Sequence, residues 1–374
     1  KFSSNLKLEW KELERFDKSS DEDRSIVFYV ENEHYTIYLK SLIETLVNEY
    51  GLKVSYVTSS KTDPLLKSTN KNISSFYIGD GIVRTKFFIN LRADVLVMTM
   101  PDLETFHIKR SKIYPVHYVY IFHSLSSTHY IYRKTAFDNF DTIFCAGPYH
   151  VNEIRETEKK YGLKEKKLVE CGYGRLDDLL HIVKNRDPKK NSKNKRKIIL
   201  VAPSWGENGL IETKGEYVVQ TLLDFGYNVI LRPHPITIKK SHKIIQNIEK
   251  KFKENPNFKL EVDIRNSDSF FSCDCMISDW SGISFEYAFV FEKPIIFIDV
   301  PKKILNTEFD RISSEPIEIA IREKIGKIVS PDNLSEIPDL IKKIDMDSNS
   351  MSDEIKEIRS KTVFNINKSA SVGA

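Results

Sequence analysis

Short apolar runs alternate with segments of helical spacing along most of the chain. SIVFYV at 25–30 has strand length and β-branched content, and YLKSLIETLVNEYG at 38–51 spaces Leu39, Leu42, Ile43, Leu46 and Val47 helically before stopping at Gly51. KVSYVT at 53–58 returns to strand character, and further strands are expected at 75–78, 95–98, 117–122, 142–146 and 168–170. A second series begins with KIILVAPS at 197–204, followed by a helix over 215–225, NVILRPHP at 228–235, a helix over 241–254 and a short strand at 260–262. It ends in FSCDCMISDWSGISFEYAFVFEKPIIFIDV at 271–300, where strands at 273–277 and 294–298 flank a polar elbow and an apolar segment of helical length. Stretches 334–344 and 352–363 read as terminal helices. Such alternation is the signature of parallel sheets with right-handed crossovers. The pattern therefore predicts an α/β chain of two Rossmann-like, doubly wound domains facing a central cleft, with helices at the C-terminus. The expected division is 1–186, a basic linker at 187–197, a second domain at 198–345, and a terminal helix and tail at 346–374.

Composition narrows this picture in a few places. A chain of 374 residues exceeds one ordinary core, which agrees with two domains. The net charge is only +4, and much of the basic excess lies in KKNSKNKRK at 189–197, so no nucleic-acid-binding face is indicated. That run reads as a solvated linker, with contact to an anionic membrane surface as the sharper alternative. Cys145, Cys171, Cys273 and Cys275 lack zinc or disulfide-framework spacing, so a reduced, cytoplasmic setting is expected. No apolar run approaches the roughly 18 residues of a membrane span, and no signal peptide is visible. The chain begins at Lys1, which suggests a module of a longer protein.

Candidate chemistry collects at the expected strand ends, where ligands of open α/β sheets bind. In the second half these ends carry Ser204 to Gly206, Arg232 to Pro235 and Ser278 to Ser284. The elbow of Ser278, Asp279, Ser281 and Gly282 leads into a helix whose first amides lack internal partners, which suits a phosphate-bearing ligand. Asp279 could equally cap that helix, and Glu286, one turn beyond Gly282, could reach a ribose hydroxyl or face solvent. His234 lies between two prolines, so its ring is held on a rigid turn beside Arg232. In the first half His123 closes an apolar strand and precedes Ser124, Ser126, Ser127 and Thr128; a neutral imidazole there is a plausible general base, with His129 as competitor. Arg133 and Lys134 could neutralise phosphate or lie in solvent. CGYGRLDDLL at 171–180 places Gly172 and Gly174 in a turn before a helix, but it is no dinucleotide fingerprint.

The strand-closing His123, GYGRLD at 172–177, VAPSW at 201–205, LRPHP at 231–235 and ISDWSGISFEYAFVFEKPIIF at 277–297 together resemble the CDP-glycerol glycerophosphotransferase family of teichoic-acid and capsule synthesis. The resemblance implies a GT-B fold, a nucleotide held mainly by the second domain and no metal cofactor. It further implies catalytic roles for His123 and His234, with His123 as base and His234 against the donor phosphates. Donor-binding residues would be Ser204, Arg232, Ser278, Asp279, Ser281, Gly282, Ser284 and Glu286, and Ser124, Ser126 and Arg133 would lie on the acceptor side. The implied reaction transfers a glycerol phosphate, or a related polyol phosphate, from a CDP-linked donor to a hydroxyl of a lipid-linked or polymeric glycan acceptor, releasing CMP. Such a transferase would work in cell-envelope biogenesis as a peripheral protein at the inner face of the membrane. Two departures touch the substrate sites: FHSLSSTHYIYRK stands where the family commonly has a WHGTPLK-like sequence, and Gly206 and Glu207 follow Trp205 where a basic residue is common. Alternatives are a glycosyltransferase of the same fold using a CMP- or UDP-sugar, a non-catalytic nucleotide- or glycan-binding module of a larger synthase, and a sugar epimerase of similar build.

Overall fold

The computed structural model describes residues 2–186, 196–263, 268–346 and 348–374, and among them thirteen strands form two parallel sheets. The first sheet holds β1 (Ile26–Val30), β2 (Val54–Thr58), β3 (Ile73–Tyr77), β4 (Val95–Met98), β5 (His117–Ile121), β6 (Thr142–Cys145) and β7 (Lys167–Glu170). The second holds β8 (Ile198–Val201), β9 (Asn228–Leu231), β10 (Phe258–Leu260), β11 (Cys275–Ser278), β12 (Ile295–Ile298) and β13 (Gly326–Val329). Their orders are β3-β2-β1-β4-β5-β6-β7 and β10-β9-β8-β11-β12-β13, and every pairing is parallel. Each order reverses direction once, between β1 and β4 and between β8 and β11, which opens a crevice at the carboxyl ends of those strands.

Burial explains why these segments are strands. β2, β11 and β12 are buried at every position, as expected where helices cover both faces of a parallel sheet. The helix Ile283–Phe291 has no polar face, because it is buried from Ser284 to Val290 between its own sheet and the C-terminal helix Ser348–Thr362. That pairing is locked at Glu292, where Arg359 and Lys356 reach the carboxylate at 3.0 and 3.3 Å.

Several expected boundaries shift. The helix expected over 215–225 starts earlier, at Leu210, and β13 had no counterpart in the sequence reading, since GKIV is short and half polar. Residues 187–195 of the expected linker lie outside the described residues; Arg196 and Lys197 lead into β8, and Lys197 pairs with Asp345. The terminal segment does not stay with the second half. Beyond Thr362 it packs on the first sheet: the Phe364 amide donates to Ala146 O at 2.8 Å, Asn365 Nδ2 to Glu170 O at 2.6 Å, and Asp177 accepts the amides of Asn367 and Ser369. Gly172, at φ +102°, is needed there because a side chain would strike Phe364 O.

Candidate active site

The crevice of the second sheet is organised by Asp279. It is buried and accepts the Ser204 amide at 2.6 Å and the Leu210 amide at 3.3 Å, joining the ends of β8 and β11 across the switch point. Asp279 thus caps the helix Leu210–Asp224, not the one that follows it in sequence. Ser278 is equally internal, its Oγ donating to Ala202 O at 2.8 Å. What faces outward is the turn after them. Ser281 and Gly282 sit at the start of the helix Ile283–Phe291, where the first amides have no intrahelical acceptor, and Ser284 Oγ bonds back to Ser281 O at 2.6 Å.

At the end of β9, His234 is the N-cap of the helix Pro235–Lys240, and its Nδ1 accepts the Ile236 amide at 3.1 Å. Nδ1 is therefore unprotonated, so in the neutral ring the proton sits on Nε2, which can donate. Burial, helped by the charge of Lys303 and by His123, lowers His234 to a pKa of about 3. Trp205 lies 6.3 Å from His234 between ring centroids, and the ammonium groups of Lys303 and Lys240 lie 3.7 and 5.1 Å from the centre of the same indole.

His123 follows β5 in the first half. Its Nδ1 is 3.2 Å from Thr99 O; a carbonyl can only accept, so Nδ1 carries the proton and Nε2 keeps its lone pair. Tyr35 packs edge-on against the ring at 5.0 Å, with Tyr38 and Tyr132 at 6.0 and 6.2 Å. Burial lowers His123 to about 4, so the ring is neutral at pH 7. The following turn crosses to the other half: Ser124 Oγ bonds Ser126 Oγ at 2.6 Å, and a Cβ placed on Gly282 would fall inside 3.0 Å of Ser124 Oγ. Glycine at 282 is what lets the two halves touch there.

The rest of that turn is tied down from both sides. His150 accepts the Ala146 amide on Nδ1 at 3.1 Å and donates from Nε2 to Ser126 O at 2.8 Å. Glu153 accepts from Thr128 through amide and hydroxyl at 2.6 and 2.8 Å, and Glu318 of the second half accepts the Ser127 amide at 3.0 Å. His129 is buried here, donating to Ser314 O at 3.0 Å and lying 3.5 Å from Glu153, so it serves the junction of the halves and offers no free base.

Five residues expected at the site have other surroundings. Glu286 is buried and accepts from Tyr173 OH at 2.6 Å, so it does not face solvent, and Tyr173 brings GYGRLD against the second half. Arg232 is buried and pairs with Glu261 at 3.2 Å, with Ser269 at 3.2 Å beside it. Ser204 is buried, its amide held by Asp279. Arg133 is exposed, its guanidinium 4.5 Å from the centre of the Phe106 ring, and it does not join the cluster of His123, Ser124 and Ser126; Lys134 pairs with Glu308 at 3.0 Å. Sequence reading missed Tyr35, which lies in a short 3₁₀ segment with no strand or helix periodicity to flag it, and Lys303, which the strand-end reasoning could have found because it follows β12. Among the described residues, no group of three or more His, Cys, Asp or Glu side chains is placed to hold a metal ion, and no helix is long and apolar enough to cross a membrane.

Comparison with known proteins follows the same lines. The model of the CDP-glycerol:poly(glycerophosphate) glycerophosphotransferase family matches residues 22–370. The teichoic acid poly(glycerol phosphate) polymerase of Staphylococcus epidermidis is 24% identical over 147 residues, 37% of this chain and 20% of that protein, so the matched part spans about a fifth of that relative's length. Among solved structures, the wall teichoic acid polymerase TagF, studied with CDPG, aligns over 98% of this chain and 92% of its own at a TM-score of 0.58 and 15% identity. The UDP-GlcNAc 2-epimerase of Neisseria meningitidis aligns over 92% and 97% at 0.60 and 13% identity. At such identities these likenesses establish a shared two-domain fold.

Proposed function

The chain belongs to the CDP-glycerol:poly(glycerophosphate) glycerophosphotransferase family, and on that premise we propose that it transfers a glycerol phosphate, or a related polyol phosphate, from a CDP-linked donor to a hydroxyl of a cell-envelope polymer. The observation that carries this reading is the pair of neutral imidazoles, a lone pair on His123 Nε2 and a proton on His234 Nε2, beside a helix start that offers amides to an anion. A base on one side and phosphate donors on the other are what phosphoryl transfer requires.

In the step proposed, an oxygen of the acceptor hydroxyl forms a bond to the β-phosphorus of the donor. The bond from that phosphorus to the bridging oxygen breaks, and CMP leaves with the electron pair. The hydroxyl proton passes to His123 Nε2. His234 Nε2–H and the amides at 281–283 hold the non-bridging oxygens, whose charge would otherwise resist attack, with Ser281 and Ser284 lining the turn. Ser124 and Ser126 lie beside His123 on the acceptor side. Asp279, Ser278, Ser204, Arg232 and Glu286 act by fixing the loops that carry these groups. The polymer would be anchored to lipid and the enzyme would meet it at the membrane surface, a finer reading that rests on the family resemblance alone.

A thermal-shift panel of CDP-glycerol, CDP-ribitol, CMP- and UDP-sugars and the bare nucleotides tests the donor. A ligand at about a hundred times its Kd adds roughly 2.7 kcal/mol. Stabilisation by CDP-polyols, followed by CMP release in an assay with a polymer acceptor, supports the reading. Selective stabilisation by a UDP-sugar overturns it.

A further inference from the structure

The loop after β12 carries a cation that neither half of the site has yet used. Lys303 lies 3.7 Å from the centre of the Trp205 indole. Its loop is pinned on both sides: Trp280 Nε1 donates to Val300 O at 2.8 Å, and the Leu305 amide donates to Tyr130 O at 3.1 Å. Two anchors within six residues leave the lysine little freedom to swing away. Among the described residues it makes no ion pair. Two carboxylates act on it from beyond ion-pair distance: Asp279, which holds the amides of Ser204 and Leu210, and Glu212, whose Oε1 accepts from Ser241 Oγ at 3.0 Å while its Oε2 has no hydrogen-bond partner. Lys240 shares the same indole at 5.1 Å, and the charge of Lys303 also reaches His234.

A half-buried ammonium with no carboxylate in ion-pair contact, beside a second lysine and a proton-donating histidine, is costly unless an anion enters. An indole face offsets part of that cost and keeps the ammonium aimed across the ring. The loop that bears Trp205, SWGENG at 204–209, contains no basic residue of its own, so positive charge at this strand end has to come from a neighbour. The surroundings bear this out: burial, with Lys240 adding to it, lowers Lys303 to about 8, a site where added negative charge is favoured.

We propose that Lys303, seated over Trp205, is the cation that binds the diphosphate of the donor in this chain, with Lys240 as a second, outer charge. The inference rests on the nucleotide-linked donor proposed above, yet it concerns the phosphates alone and is indifferent to the base or the transferred unit.

Calorimetric titration of the full chain with CDP, UDP and cytidine tests it, comparing the parent with Lys303→Met and Lys303→Arg. Methionine keeps an unbranched stem on the indole and removes the charge; arginine keeps the charge. Lys303→Met is expected to weaken CDP about tenfold or more while leaving cytidine within twofold, and Lys303→Arg to retain most of the affinity. Equal losses for CDP and cytidine, equal losses in both variants, or CDP binding by Lys303→Met within twofold of the parent would each overturn the proposal. If the parent prefers UDP, the donor reading above fails, and the role of Lys303 is judged on UDP by the same criteria. A parent that binds neither diphosphate overturns both.

Discussion

His123 and His234 are held in opposite tautomers: Nδ1 of His123 donates to Thr99 O at 3.2 Å, whereas Nδ1 of His234 accepts the Ile236 amide at 3.1 Å. The same side chain type therefore offers a lone pair on Nε2 in one half and a proton on Nε2 in the other, decided by one backbone group apiece. His123→Ala should lower turnover by at least ~100-fold and leave CDP binding near the parent value. His123 is brought from 6.5 to about 4, so it stays neutral until the pH falls well below the usual histidine range. The acid limb of kcat/KM is expected near pH 4–5, and a limb centred at 6.5 would show that another group is the base.

His234 separates into two functions by atom. Asparagine at 234 can return an acceptor to the position of Nδ1, and glutamine can place a donor near Nε2. His234→Asn should keep the cap on the helix Pro235–Lys240 and lose donor affinity; His234→Gln should lose the cap, worth about 1 kcal/mol, and retain more of the affinity. Melting curves and CDP titrations on the two variants check this, and identical behaviour in both would mean that the two nitrogens do not divide the work.

The element that proved most legible was the one richest in constraint. ISDWSGISFEYAF at 277–289 combined a buried strand, an elbow of small residues and a mostly apolar, buried helix, and each has a strict physical requirement. Strand alternation likewise sufficed for both sheets, apart from β13, whose exposed Lys327 and Ile328 blur the pattern. The contacts of single polar residues were not legible. Asp279, Arg232 and Glu286 were expected to touch the donor, and within the fold they bond to Ser204, Glu261 and Tyr173. Those partners lie 75, 29 and 113 residues away, and no local pattern encodes contacts of that range. The return of the tail to the first sheet was hidden for the same reason, since it depends on Gly172 and Asp177 leaving room and acceptors for it.

Gly282 should resist substitution for a reason outside its own half. Alanine there drives into Ser124 Oγ, and relief requires Ser124 to rotate away from Ser126, at a cost of about 1 kcal/mol for the lost hydrogen bond. Gly282→Ala should therefore show a small stability loss with a larger loss of turnover, because the turn next to His123 moves. Adding Ser124→Ala should restore part of both. A double variant no better than Gly282→Ala would place the defect in the elbow at 278–282 itself.

Glu318 links pH to the contact between the halves. It is buried, accepts the Ser127 amide, and is raised from 4.5 to about 7 by burial, with Glu153 adding to the effect; His129 lies 3.5 Å from Glu153. A carboxyl with a raised pKa in the folded state binds a proton there that the unfolded chain has released, so its contribution to stability falls as pH rises from the ordinary value to about 7 and is lowest above it. The full span corresponds to about 3 kcal/mol as an upper figure. Glutamine at 318 keeps an acceptor for Ser127 and cannot ionise. Glu318→Gln should thus match the parent in melting temperature near pH 5 and exceed it by a few degrees at pH 8. Parallel pH profiles for the two proteins would show that Glu318 titrates as an ordinary carboxylate and that the turn at 124–130 is held independently of it.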